Sequence, residues 1–159
     1  MRADHLAAPS LLEEHRRLAA FAGQWTGEET VFPSRWTAGG PATSQVAARI
    51  DLNGFYLIQD TRQTRDGGET FLTHGIFTYD REDRHYKLFW YDSLGYIPPS
   101  PASGGWTGNA LILVRGSLRG NARHIYELID DNTYNMKIQF SPDAEGWADV
   151  LTGVYRRVH

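Results

Sequence analysis

The chain has 159 residues, no cysteine, and a formal net charge of −3 with both signs spread along the sequence. This length is enough for one domain with a sizeable core and too short for two. The charge balance argues against a nucleic-acid or anionic-membrane partner, and the missing cysteines exclude disulfides, thiol nucleophiles and thiolate metal sites. No apolar run is long enough to cross a bilayer. We expect a cytoplasmic protein, because a cysteine-free chain fits a reducing compartment.

The segment before residue 24 predicts one helix. Residues 10–13, Ser-Leu-Leu-Glu, have the spacing of a capping box, and apolar residues recur on one helical face until Gly23 supplies a stop. We therefore predict a helix over residues 10–22 that follows a flexible tail over residues 1–9.

The rest of the chain predicts antiparallel strands, because short alternating segments rich in Val, Ile, Thr, Tyr and Phe are separated by Gly, Pro, Asn and Asp clusters. The predicted strands cover residues 24–32, 43–52, 54–65, 69–79, 84–93, 104–107, 109–116, 121–130, 132–140 and 147–157. Such a meander best satisfies its edges by closing into an up-and-down β-barrel over residues 24–157, with the helix covering one end. A β-sandwich is the alternative. The irregular segments 33–42 and 94–103 are expected to form the rims of a pocket mouth.

Hairpin parity predicts which residues line the interior, because partners across a ladder share a face. If Asp80 pairs with Arg84 around a three-residue loop, His74 and Trp90 face each other on the inner wall, and Asp92 lies diagonal to His74. A buried carboxylate requires a donor, and His74 is the predicted one. A four-residue loop would instead reverse the faces of this strand. The same face is predicted to include Phe55, Leu57, Gln59 and Tyr86.

The same argument, applied to a hairpin that turns at Asp131-Asn132, places Arg123 and Glu127 on the inner wall with Met136. Internal charges are stable only when they are paired, hydrated or bound to a ligand. Arg123 is therefore a candidate for binding an anionic oxygen of a ligand. A structural ion pair with Glu127 or Glu29 fits the pattern equally well.

Two interpretations of these polar residues remain open. His74 beside Asp92 has the pairing of a general base, and Arg123 could hold developing negative charge; the plainer interpretation is a hydrogen-bonded core histidine. The candidate catalytic residues are His74, Asp92 and Arg123. The candidate ligand-binding residues are Trp25, Glu29, Phe55, Leu57, Gln59, His74, Tyr86, Trp90, Asp92, Arg123, Glu127 and Met136. The histidines lack metal-motif spacing and no cofactor motif is present, so we expect neither a metal nor a cofactor.

Four blocks of the chain carry a family resemblance: "FAGQWTGEETVFPSRWTAGGPAT", "DLNGFYLIQD", "THGIFTYDREDRHYKLFWYDSLG" and "GVYRR". From about Leu18 to Arg157 the chain resembles the DUF1579 family, small bacterial proteins of unknown function. The resemblance implies a calycin-like, lipocalin-like barrel and no particular activity. It places family motif positions at Trp25, Gly27, Glu28, Glu29, Gly54, Phe55, His74, Gly75, Trp90, Asp92, Ser93, Gly95 and Arg123.

The chain departs from this family pattern at two positions. His124 stands where the pattern implies an aromatic residue, and Thr152 stands where it implies an acid. The haem-binding nitrobindin group is similar in architecture and in its opening G-x-W-x-G pattern. Its iron ligand is a histidine near the end of the chain, where only His159 stands here, so we do not expect haem.

These features favour a binding protein whose barrel holds one small, mostly apolar molecule with a few polar anchors. The alternative is a cofactor-independent isomerase or cyclase of a small metabolite, with His74 as proton shuttle and Arg123 as anion holder. A purely structural dimerisation module is a third possibility. The outward aromatics predicted at Phe71, Phe77, Phe89 and Tyr91 favour a homodimer through the outer wall.

Overall fold

The computed structural model describes residues 7–159 and shows one closed antiparallel barrel of ten strands. The strands are β1 (Gly23–Val31), β2 (Gly40–Asp51), β3 (Tyr56–Arg65), β4 (Thr70–Asp80), β5 (His85–Asp92), β6 (Ala102–Thr107), β7 (Ala110–Ser117), β8 (Gly120–Asp130), β9 (Thr133–Ser141) and β10 (Ala148–Arg157). Each strand pairs with its neighbour in sequence, and β1 pairs with β10 to close the barrel. The up-and-down barrel is confirmed, and its closure leaves no edge strand in the sheet.

A short helical segment precedes β1. The helix α1 spans Glu13–Arg17, and a 3₁₀ turn spans Leu18–Phe21. The helix begins later than the predicted residue 10, because the Leu12 backbone N–H is capped by Nδ1 of His15 at 3.0 Å rather than by a serine side chain. Residues 1–6 of the predicted tail lie outside the described residues. Neither α1 nor any other helix within residues 7–159 is long and apolar enough to cross a membrane.

Leu18 and Phe21 plug the helical end of the barrel. Both side chains are buried, and Phe21 stacks on Trp106 with ring centroids 5.9 Å apart and meets Tyr134 edge-on at 5.4 Å. The carbonyl of Phe21 also accepts a hydrogen bond from Trp25 Nε1 at 3.0 Å. Burial of such side chains stabilises the fold by about 1.5–3 kcal/mol each. This end is a packed core, so an internal cavity has room only toward the other end.

Strand β4 shows the opposite faces from those predicted, so the prediction that His74 lies on the inner wall is wrong. The loop before β4 comprises residues 66–68 and the loop after it residues 81–84, each one residue longer than assumed. A left-handed φ of 59° at Arg84 accommodates the longer second loop. Each extra residue reverses the parity of the ladder. The two reversals cancel across β4, so β3 and β5 keep their predicted inward residues.

A β-bulge reverses the faces of β8, so the inward placement of Arg123 and Glu127 is also wrong. The turn after Asp130 is as predicted, but the register with β9 shifts at Ile129, which has no partner of its own. A bulge inserts one extra residue into one strand and redirects the side chains beyond it. The inward residues of β8 are instead the even-numbered positions from 122 to 128.

Adjacent glycines in β6 offer a direct test of the strand packing. A Cβ at Gly104 would lie 1.8 Å from the Ile112 carbonyl oxygen, whereas a Cβ at Gly105 would meet no atom within 4 Å. We expect Gly104→Ala to lower the free energy of unfolding, measured by urea denaturation, by about 2–3 kcal/mol, because backbone must move. The control Gly105→Ala should change it by less than about 0.5 kcal/mol. Equal effects of the two substitutions would contradict the β6–β7 packing.

Candidate functional site

The barrel encloses a cavity of about 390 Å³ that opens at the end opposite the helix. Loop residues Phe32, Trp36 and Leu94 line its mouth. Further inside, the wall is mainly apolar and includes Val31, Val46, Phe71, Met136, Ile138 and Leu151. Sites for small molecules have this size range and combine apolar walls with a few placed polar groups. The polar groups here form two clusters on opposite sides of the barrel.

The first cluster, the carboxylate wall, consists of Glu29, Ser44, Gln63 and Tyr155 on β1, β2, β3 and β10. Glu29 is only 6% exposed, yet its carboxylate accepts three hydrogen bonds. The donors are the Ser44 hydroxyl, Gln63 Nε2 at 3.0 Å, and the Tyr155 hydroxyl. A buried carboxylate is tolerated only when such donors replace water. Glu29 therefore ties together side chains from four strands of the barrel.

Two glycines make room for the Tyr155 ring to reach Glu29. A Cβ at Gly27 would lie 2.4 Å from Cε1 of Tyr155, and one at Gly153 would lie 2.7 Å from its hydroxyl oxygen. The ring stacks on Tyr134, with centroids 4.8 Å apart. Burial, followed by the charge of Glu29, raises the pKa of both tyrosines above the ordinary value. Tyr155 is therefore a stable hydrogen-bond donor at neutral pH.

The second cluster, the aromatic wall, consists of Trp90, Asp92 and His124 on β5 and β8. Trp90 Nε1 donates to Asp92 Oδ2 at 3.1 Å, and the Leu94 backbone N–H donates to Asp92 Oδ1 at 3.0 Å. The donors to Asp92 thus come from its own chain neighbours rather than from His74. Trp90 also packs against His124, with ring centroids 4.8 Å apart. The barrel order places this wall across the cavity from β1 and β2.

The buried groups of the cavity are poorly suited to proton transfer near neutrality. Burial lowers the pKa of His124 to about 3, and the charge of Arg115 acts in the same direction. General acid–base catalysis requires a pKa near the working pH, which neither His124 nor Tyr155 provides. Within residues 7–159, no three His, Asp or Glu side chains cluster closely enough to hold a metal ion. At neutral pH, His124 and Tyr155 are therefore neutral hydrogen-bonding groups in the cavity.

The structure brings together only part of the predicted ligand-binding set. The residues of this set that line the cavity are Glu29, Gln59, Trp90, Asp92 and Met136. Trp25, Leu57 and Tyr86 point inward but belong to the packed core at the helical end. Phe55 follows the turn after β2 and meets His15 edge-on, with centroids 5.1 Å apart. The roles of the cavity residues in binding stay predictions.

The other members of the predicted set point away from the cavity on the outer wall: His74, Arg123 and Glu127. Nδ1 of His74 lies 2.5 Å from Oδ1 of Asp60. Nε and Nη2 of Arg123 donate to Oε1 of Gln139 at 2.8 and 2.6 Å. Of the candidate catalytic residues, only Asp92 reaches the cavity, so the predicted set is not assembled there.

The cavity residues that the predicted set lacks include Arg115, His124 and Tyr155. Leu111 and Leu113 are buried, and Arg115 is the next residue on the same face of β7. The alternation of inward and outward positions within this strand could therefore have identified Arg115 as an inward residue. His124 lies inside the cavity, which makes this departure from the family pattern part of the site. The second departure, Thr152, lies on the outer wall, because its neighbours in β10 at 151 and 153 face inward.

Fold and cavity together define a closed antiparallel β-barrel with a helical plug and an internal pocket. The chain belongs to the DUF1579 family, whose members are described as proteins of unknown function. The model of this family matches residues 10–157. Comparison with curated proteins gives no match.

Solved structures share this fold at low sequence identity. Rv2717c from M. tuberculosis is 12% identical, with a TM-score of 0.68 over 94% of this chain and 100% of that chain. The S-type phycobiliprotein lyase CPES from Guillardia theta is 12% identical, with a TM-score of 0.63 over 91% of this chain and 92% of that chain. EF1p2_mFAP2b bound to DFHBI is 14% identical, with a TM-score of 0.53 over 91% of this chain and 99% of that chain. Similarity at these identities shows the fold alone.

Adjacent acids in β1 test the carboxylate wall. Glu29→Gln places an amide N–H₂ group against hydrogen-bond donors, so we expect the free energy of unfolding to fall by about 2–3 kcal/mol. The control Glu28→Gln removes an exposed charge on the outer wall and should have an effect below about 0.5 kcal/mol. Calorimetry of both variants measures the difference. Comparable, small losses would mean that the three donors do not stabilise Glu29.

The low pKa of His124 predicts acid destabilisation. An unfolded histidine titrates near 6.5 and the folded one near 3, so the unfolded chain binds the proton more readily between these values. The neutral, buried His124 therefore makes its full contribution to the free energy of unfolding above pH 6.5. As the pH falls, this contribution decreases, and at pH 4 it is lower by about 3 kcal/mol. We expect His124→Phe to flatten the decline of Tm from pH 7 to 4. The exposed control His85→Phe should leave the decline unchanged, and an unchanged decline in both variants would refute the assignment.

Proposed function

We propose that this protein binds one small, mostly apolar molecule inside the barrel. The observation that carries the proposal is the enclosed cavity of about 390 Å³ with mainly apolar walls and an open mouth. Pockets of this size and character commonly hold small ligands. Since the helical end is packed, the ligand enters between the loops at the opposite end.

The chemistry of the walls supports an apolar ligand body. Glu29 already accepts three hydrogen bonds from the protein, so it needs none from a ligand. Apolar surface on Val46, Trp90 and Met136 is available for contact and contributes about 25 cal/mol per Å² buried. The remaining polar groups orient the ligand rather than dominate its affinity.

A cofactor-independent isomerase or cyclase stays an alternative prediction. Because His74 and Arg123 lie on the outer wall, its proton donor and acceptor inside the cavity would be Tyr155 and Glu29. Burial and the charge of Glu29 raise the pKa of Tyr155, which works against proton transfer at neutral pH. The geometry therefore supports binding better than catalysis.

The neutral fluorophore N-phenyl-1-naphthylamine tests the binding proposal. We expect saturable fluorescence enhancement with one probe per chain, because the probe is apolar and small enough for the cavity. Thr61 lines the cavity, and Thr64 is exposed on the outer face of the same strand. Thr61→Trp should weaken binding by about tenfold or more by filling the cavity, whereas Thr64→Trp should not. Equal affinity of both variants and the unmodified protein would exclude the interior as the binding site.

We also propose a homodimer formed through the outer wall of β3, β4 and β5. Ile58, Ile76 and Phe89 are direct cross-strand partners and form an apolar row. Leu72 and Tyr91 lie on the same outer face, are 47% and 45% exposed, and flank His74, which contacts Asp60. An exposed apolar surface with a few polar residues among its members is typical of a subunit contact.

Two predicted members of this surface do not belong to it, since Phe71 lines the cavity and Phe77 is buried in the core.

We expect a dimeric mass by size-exclusion chromatography with light scattering at about tens of micromolar, within the usual range of modest interfaces. Phe89→Glu should give a monomer, because a charge would be buried in the contact. Thr152→Glu, on the other side of the barrel, should remain dimeric. A monomeric mass for the unmodified chain would end the dimer proposal.

A further inference from the structure

A second cavity of about 360 Å³ adjoins the first at the mouth of the barrel. We call it the mouth lobe; the residues that matter in it are Arg35, Trp36, Asp92, Tyr96, Arg115 and Arg119. Both cavities are lined by Trp36, Asp92 and Arg115, so they adjoin along these side chains. Within the described chain, three arginines and one carboxylate line the mouth lobe, which gives it excess positive charge.

Arg115 lies at the junction of the two cavities. It points inward from β7 opposite Ala122 and is partly buried. Among residues 7–159, no carboxylate lies within ion-pair distance of its guanidinium. Burial lowers the pKa of Arg115, the charge of Asp92 opposes this effect, and the charge of Arg119 adds to it. Asp92 accepts hydrogen bonds from Trp90 and Leu94 and, within the described residues, forms no ion pair with Arg115, so the Arg115 guanidinium faces the cavity without a carboxylate partner.

The loops around the mouth lobe hold the other two arginines over aromatic rings. Trp36 and Tyr96 come from different loops and meet edge-on, with ring centroids 6.2 Å apart. Arg35 lies 5.1 Å from the Trp36 ring and Arg119 lies 4.3 Å from the Tyr96 ring. A guanidinium stacked on a ring keeps its N–H edge free to bind an oxyanion. The mouth is therefore built with oriented cationic donors.

We propose that the ligand of this barrel is an organic anion whose apolar body fills the barrel cavity and whose oxyanion group binds Arg115 in the mouth lobe. The inference rests on the proposed function, since it requires a molecule in the cavity. A carboxylate, sulfonate or phosphate group can take two parallel N–H donors from one guanidinium. The partly buried position strengthens this attraction relative to one in open water. Arg119 at the rim adds to it.

Two fluorophores with the same ring skeleton test this inference. N-phenyl-1-naphthylamine is neutral, and 8-anilinonaphthalene-1-sulfonate carries one sulfonate. We expect Arg115→Met to weaken binding of the sulfonate by about tenfold, because charge-assisted hydrogen bonds are lost, and to leave the neutral probe unaffected. Retained binding of the neutral probe also shows that the variant is folded. Arg123→Met, which removes an arginine from the outer wall, should change neither affinity, and Arg115→Gln should repeat the result of Arg115→Met.

The possible outcomes separate this inference from the proposed function. If Arg115→Met and Arg115→Gln leave the ratio of the two affinities unchanged, the anion site is overturned while binding in the cavity stands. The same holds if the unmodified protein binds the neutral probe and not the sulfonate. If it binds neither probe, the proposed function falls and the anion site falls with it.

Discussion

The interior of this barrel depends on the buried carboxylate of Glu29. A charge at 6% exposure requires donors from the protein, and they come from residues far away in sequence. Tyr155 is 126 positions away and reaches Glu29 only because Gly27 and Gly153 leave space for its ring. The pairing of β1 with β10, which closes the barrel, brings these residues together. Closure and the buried charge therefore support each other.

The position of this cluster determines where ligand chemistry is available. The helical end is filled by Phe21 and the aromatic rings around it, and the Glu29 cluster satisfies itself on one side of the cavity. Free surface remains on the aromatic wall around Trp90 and at the mouth near Arg115. This distribution favours a ligand with an apolar body and one polar end that faces the loops.

The strands and the barrel were accessible from the sequence, because alternation and turn residues are local signals. Which face of each strand points inward was harder, because one residue in a loop reverses a whole strand. His74 was predicted on the wrong face because the loops at 66–68 and 81–84 are each one residue longer than assumed. Arg123 was predicted on the wrong face because of the bulge at Ile129. No glycine or proline marks the bulge at Ile129, so the residue types there do not reveal it. Contacts such as Tyr155 with Glu29 depend on register across the closure, which no local pattern specifies.

A crystal structure of the complex with N-phenyl-1-naphthylamine tests the central claim most directly. The account predicts the probe inside the barrel, between the carboxylate wall at Tyr155 and the aromatic wall at Trp90 and His124. The outer face carries a separate groove beside His74 and Tyr91. Probe density in that groove with an empty barrel interior would contradict the account.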